Sequence, residues 1–113
     1  MAKQNNDTPD ETDTLVFSYT LEQAMDDEVL VAVFRPRWST LTGGKPLVAT
    51  AAIREALTDA ALIEVWNGYV SWRRTVEPTL PEQDRLFATQ MNELTVWVIE
   101  DGHAFTILRP EDY

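Results

Sequence analysis

Residues 94–109 read Leu-Thr-Val-Trp-Val-Ile-Glu-Asp-Gly-His-Ala-Phe-Thr-Ile-Leu-Arg. Two runs rich in β-branched and aromatic residues flank Asp101-Gly102, the pattern of a β-hairpin with a two-residue type I′ turn, because both turn positions need positive φ. In that register Glu100 faces His103, Val98 faces Phe105 and Val96 faces Ile107. The other face sets Thr95, Trp97 and Ile99 opposite Leu108, Thr106 and Ala104. Neither face is clearly polar, so both need cover. Helices suit one face; the other is left for the long stretch 38–46 or for another protein chain.

Upstream, residues 86–91 read as a further strand, joined to what precedes by a loop, 77–84, that contains Pro78 and Pro81. Before that loop the apolar positions Leu62, Val65, Trp66, Tyr69, Val70, Trp72 and Val76 recur at spacings of three and four. This predicts an amphipathic helix over 60–76, with a kink or break at Asn67-Gly68, since glycine inside a helix costs about 1 kcal/mol relative to alanine. Thr50 reads as the N-cap of a preceding helix over 51–57, and Thr58-Asp59 as its break or as a new cap. Residues 29–34, Val-Leu-Val-Ala-Val-Phe, form a strand apolar on both faces, which predicts a central place in the sheet. Arg35-Pro36 ends it. Thr20 with Gln23 fits a capping box and opens a short helix, 21–26. Residues 15–19 are a short apolar stretch suited to an edge strand. Residues 1–14 hold no large apolar side chain after Met1 and cannot repay the entropy of ordering, so a disordered acidic tail is expected there.

The expected architecture is therefore a tail, 1–14, followed by one α+β domain, 15–113. Its antiparallel sheet of about four strands ends in the hairpin and packs on two or three helices. At 113 residues such a chain buries about two thirds of its unfolded surface and needs no covalent staples. It has no cysteine, which removes disulfides, thiolate nucleophiles and cysteine-based zinc sites. No apolar run reaches the roughly 18–20 residues that span a bilayer, and no signal-like start precedes the fold, so the expected setting is the cytoplasm of a bacterial host without membrane contact. The net charge of −10 is concentrated in residues 1–28, where eight acids against Lys3 give −7. The remaining 85 residues carry only −3. This balance opposes non-specific nucleic-acid binding, which needs an excess of lysine and arginine.

Candidate chemistry is sparse. His103 is the single histidine and reads as an exposed turn residue paired with Glu100. One histidine without cysteine does not build an ordinary zinc site. Ser18, Ser39 and Ser71 lack the G-x-S-x-G elbow of a nucleophile. Glu55 and Asp59 stand at i, i+4 spacing and suit a solvated helix face. Asp26-Asp27-Glu28 lacks the alternating ligands and glycine of a calcium loop. Gly43-Gly44-Lys45 lacks the full phosphate-loop pattern, with Pro46 where a hydroxyl residue is required, and reads as a mobile loop. No catalytic, cofactor-binding or metal residues are assigned.

The aromatic residues carry more. Trp66 and Tyr69 suit the core, whereas Trp72, Arg73 and Arg74 end the long helix in a combination enriched at protein interfaces. On the hairpin, Trp97, Ile99 and Leu108 form a second candidate protein-binding face.

Four stretches resemble a family of small uncharacterised proteins carried on plasmids and phages, best represented in actinobacteria. They are Tyr19-Thr20 with Gln23-Ala24, Val29-Leu30-Val31, residues 45–52 (Lys-Pro-Leu-Val-Ala-Thr-Ala-Ala) and residues 105–112 (Phe-Thr-Ile-Leu-Arg-Pro-Glu-Asp). Residues 58–85 depart from that family in length and sequence. The resemblance brings no activity and no site residues; it implies an accessory protein of a mobile element. The reading that follows is a non-enzymatic protein that occupies a surface of a host complex, such as a CRISPR or restriction defence system. The alternative is a housekeeping module that pairs with itself through Trp97, Ile99 and Leu108.

Overall fold

The computed structural model describes residues 21–26 and 29–113. The tail, the stretch 15–19, the Thr20 cap and Asp27-Glu28 lie outside the described residues.

Helix α1 (Leu21–Asp26) leads into strand β1 (Leu30–Ala32). A 3-10 turn at Arg35–Arg37 and the single-turn helix α2 (Trp38–Leu41) follow. Then come β2 (Leu47–Thr50), α3 (Ala51–Ala56) and the long α4 (Asp59–Thr75). The chain closes with β3 (Phe87–Met91), β4 (Leu94–Glu100), β5 (Phe105–Leu108) and a 3-10 turn at Pro110–Asp112. The class is α+β as expected. Among the described residues the sheet has five strands rather than about four, in the order β1-β2-β5-β4-β3, and it is mixed: β2 and β5 run parallel while every other neighbour is antiparallel.

The helices stop where the sequence says they should. Thr50 Oγ1 accepts from Ile53 N at 3.4 Å and starts α3; Thr58 Oγ1 accepts from Ala61 N at 3.2 Å and starts α4. Leu57 is extended between them, so Thr58 recaps. Helix α4 runs through Asn67-Gly68 without a break. A β-carbon on Gly68 would stand 3.4 Å from Phe87 Cζ. Gly68 lets α4 approach Phe87 of β3 this closely, and the helix continues unbroken where propensity alone predicts a kink or break.

Strand parity divides the sheet into two faces. On one, Leu47 and Ala49 of β2, Phe105 and Ile107 of β5, Val96 and Val98 of β4, and Phe87 of β3 meet Ile53, Leu62, Val65, Trp66 and Tyr69 of α3 and α4. On the other, Leu30, Val48 and Ala104 meet Ala24 of α1. Among the described residues the segment 29–34 therefore supplies an edge strand, Leu30–Ala32, not a central one. It is apolar on both faces because α1 covers one and the main core the other. It also stops early: Phe34 has φ 55, Arg37 N donates to its carbonyl at 2.8 Å, and the chain turns away. The stretch 38–46 covers the helical face rather than the opposite one. Trp38 and Leu41 pack on the main core, and Trp38 Nε1 donates to the Val33 carbonyl at 2.8 Å. Gly43 and Gly44 supply the positive φ values, 75 and 102, that bring the chain back into β2.

The C-terminal hairpin forms with a different turn. Glu100 pairs with Phe105 and Val98 with Ile107, so the loop is the four residues 101–104. Asp101 closes it: its Oδ1 accepts from His103 N at 2.7 Å and Ala104 N at 2.9 Å, and its own N–H donates to the Ala104 carbonyl at 3.0 Å. An aspartate that bonds its own following backbone competes with the type I′ turn. The slip is two residues, so every side chain keeps its expected face. The two-residue loop with paired positive φ occurs instead at Asn92 (φ 53) and Glu93 (φ 69), between Met91 and Leu94.

Candidate functional site

The two surfaces proposed from sequence converge. Strand β4 continues two residues past its last pairing with β3, Phe87 opposite Val98. Ile99 and Glu100 therefore run on beside the end of α4, where β3 has not yet begun. A hollow of about 480 Å³ lies there. Trp72 and Arg73 come to it from α4, Trp97 and Ile99 from β4, and Arg85 and Leu86 from the approach to β3. Tyr69 and Phe87 form its inner wall and Tyr113 its rim.

Aromatic contacts fix these walls. Trp72 lies 6.0 Å from Tyr69 in a stacked arrangement and 5.7 Å from Phe87, and Trp97 meets Tyr113 edge to face at 5.9 Å. Trp72, Trp97 and Ile99 are half-buried, so each keeps one side against the protein and another toward the hollow. Among the described residues the exposed large apolar side chains are Val76, Leu86 and Tyr113. Two of the three line this hollow, and Val76 follows α4 directly.

A charged strap crosses one end. Glu100 receives Lys45 Nζ at 2.9 Å and Arg73 Nη1 at 2.8 Å. Lys45 also donates to the Asp101 carbonyl, and its ammonium sits 5.1 Å from the centre of the Phe105 ring. Arg73 reaches Tyr69 Oη at 3.4 Å. Burial pushes the Tyr69 hydroxyl above its ordinary pKa against the opposing pull of Arg73, with Glu100 and Glu77 adding to the rise. Tyr69 therefore stays protonated. The ion pairs are partly exposed and contribute little stability, within about 1 kcal/mol each; what they do is hold Arg73 in place. Both Glu100 oxygens face cations, which makes this carboxylate a tether between Lys45 and Arg73. His103 is not opposite Glu100, as the expected register had it, but sits exposed in the 101–104 loop.

Arg73 also borders a second, shallower hollow of about 430 Å³ on the α2 side of α4, floored by Leu41, Trp66, Val70 and Phe105. Arg74 opens onto this one, not the first. Leu108 belongs to neither. It is fully buried, so it leaves the proposed hairpin face. The rest of that face is not a flat patch either, because Trp97 meets Tyr113 edge to face and Ile99 faces the hollow. Glu55 and Asp59 stand on different helices, and Asp59 pairs with Arg54 at 2.7 Å.

Arg85, Leu86 and Tyr113 carry no signal in the sequence, while Lys45 reads as part of a mobile loop and Tyr69 as a core residue. Lys45 is brought in beside β2, which pairs with β5, Arg85 and Leu86 by the 77–86 connection, and Tyr113 by the C-terminal turn. Among the described residues there is no group of three or more His, Cys, Asp or Glu side chains placed to hold a metal ion, and no helix long and apolar enough to cross a membrane.

No known protein family, no curated protein and no solved structure matches this chain.

Proposed function

We propose that the chain is a non-enzymatic protein-binding protein whose contact surface is the hollow at the end of α4, with Trp72, Arg73, Trp97 and Ile99 as its walls and Arg74 at its flank. The observation that carries this reading is the convergence of half-buried tryptophans, a tethered arginine and the exposed Leu86 and Tyr113 in one concave place. Binding energy at protein interfaces concentrates in tryptophan, tyrosine and arginine seated in or around such pockets. Exposed apolar residues clustered around a hollow are the usual mark of a contact surface. The proposed setting, the cytoplasm of a bacterium that carries a plasmid or phage, with a host defence complex as partner, rests on the resemblance of the four stretches quoted above.

The test begins with tagged full-length chain in lysate of its natural host and identification of the captured complex by mass spectrometry. The purified partner is then titrated with wild-type chain and with Trp72→Ala and Arg74→Glu. A loss of affinity of about tenfold or more for Trp72→Ala, the scale of a single interface anchor, with thermal unfolding of Arg74→Glu unchanged, supports the surface. Unchanged affinity in both variants removes it.

A further inference from the structure

We propose that β3 is the pairing edge of a symmetric homodimer, in which two copies join antiparallel about Thr89 into one continuous sheet. This edge adjoins the hollow, sharing Arg85 with its lining, but leaves out Trp72, Trp97 and Ile99.

The two outer edges of the sheet differ. Strand β1 has three residues and is followed at once by a turn that contains Pro36. Strand β3 is five residues long, Phe-Ala-Thr-Gln-Met, without a charge or a proline. Edges left free in monomers are normally blunted by shortness, charge or proline. Strand β1 has two of these protections and β3 has none.

The backbone polarity of that edge follows from its turn. Met91 and Leu94 close a two-residue loop, so they exchange both hydrogen bonds, and alternation along the ladder points the amides of Phe87, Thr89 and Met91 inward to β4. The amides of Ala88 and Gln90 point outward, and both residues are exposed. A two-fold axis beside Thr89 sets Ala88 of each copy against Gln90 of the other, so all four outward-facing residues pair. In such an isologous contact residue i meets j and j meets i.

The flanking charges select this register. Arg85 lies four residues before Thr89 and Glu93 four after it. The same axis brings Arg85 of each copy to the end of the strand where Glu93 of the other stands. Both side chains are exposed. Arg85 donates through Nε to the Leu80 carbonyl at 2.9 Å, and among the described residues neither it nor Glu93 makes an ion pair. Opposite charges at facing positions stabilise strand pairing and like charges oppose it. Centring the axis on Ala88 or Gln90 loses the match at both ends.

Sedimentation equilibrium of the full-length chain over a range of concentrations tests this. The expected result is a reversible dimer. Ala88→Pro removes an outward N–H while leaving the ladder to β4 intact, and yields a monomer with an unchanged circular dichroism spectrum. Arg85→Glu or Glu93→Arg alone raises the dimer dissociation constant about tenfold, by placing like charges at both symmetric ends, and the double variant restores it. Trp72→Ala leaves the dimer intact, which separates this edge from the hollow. A chain that stays monomeric at every concentration, a dimer indifferent to Ala88→Pro, or a double reversal that fails to restore pairing overturns the proposal.

Discussion

The inner and outer strands of this sheet are built on different terms. In β2 and β5 every residue is buried, whereas β3 alternates buried and exposed along its length. The inner pair is covered twice, by α3 and α4 on one face and by α1 with the C-terminal turn on the other. Among the described residues the outer strand has α4 on one face only, and nothing covers its other face or its edge. The lesson is that an all-apolar strand reports cover on both faces and not position in the sheet. Strand β1 shows this from the other side: it reads like a central strand and lies at an edge, because α1 covers the face that an ordinary edge strand leaves wet.

If the comparison holds, truncations should separate the two regions sharply. Ile107→Ala on β5 removes a fully buried side chain and should cost about 3–4 kcal/mol. Met91→Ala on β3, where the side chain is half-buried, should cost less than half of that. Urea unfolding of both, with unchanged slope, measures the difference. Equal costs would break the contrast.

A smaller effect sits at the clamp that seals the inner strands. Asp112 accepts from Arg109 Nη2 at 2.7 Å, Arg109 Nε at 3.0 Å and Thr50 Oγ1 at 3.0 Å. Thr50 is at once the last residue of β2 and the cap of α3. The bonds from Arg109 hold the Asp112 carboxyl below its ordinary pKa; burial opposes this and Thr50 assists it. A group depressed in the folded chain stabilises it fully above its unfolded value, about 3.9, and loses that contribution as the pH falls through the folded value. Asp112→Asn should cost about 1.5–3 kcal/mol at neutral pH, the range for hydrogen bonds to a charged group. Unfolding midpoints followed down to acid should also show the wild-type advantage shrinking below that pH. An advantage that persists in acid would place the stabilisation elsewhere.

The smallest effect belongs to the outer hairpin. Glu93 holds a positive φ that costs a side-chain-bearing residue about 1–2 kcal/mol, part of which glycine gives back in chain entropy. Glu93→Gly makes the favoured Asn-Gly loop and should raise stability by about 0.5 kcal/mol, read by urea unfolding at low protein concentration. A loss of stability would show that Glu93 makes a contact that outweighs its backbone cost.

Local signals in the sequence were reliable wherever the chemistry is short-range. Thr50 and Thr58 cap the helices that follow them, Leu62, Val65, Trp66 and Tyr69 form the buried stripe of α4, and 94–108 is a hairpin. The 101–104 loop is longer than a type I′ turn because Asp101 Oδ1 bonds the backbone of His103 and Ala104. The site is half visible in the sequence: Trp72, Arg73, Trp97 and Ile99 read as parts of two surfaces and Tyr69 as core, whereas Leu108 is buried away from both hollows and Arg85, Leu86 and Tyr113 give no signal.

Periodicity, caps and composition, each written within a few residues of chain, determined the element types, the helix starts and the face on which each hairpin residue lies. The parallel pairing of β2 with β5, the edge position of β1, the joining of two surfaces into one hollow and the partners of Glu100 were settled by packing. These depend on contacts between residues as far apart as Lys45 and Glu100. A sequence records which faces are apolar, but burial is only satisfied when distant segments close over those faces, and several closures satisfy the same local pattern until the whole chain is folded together.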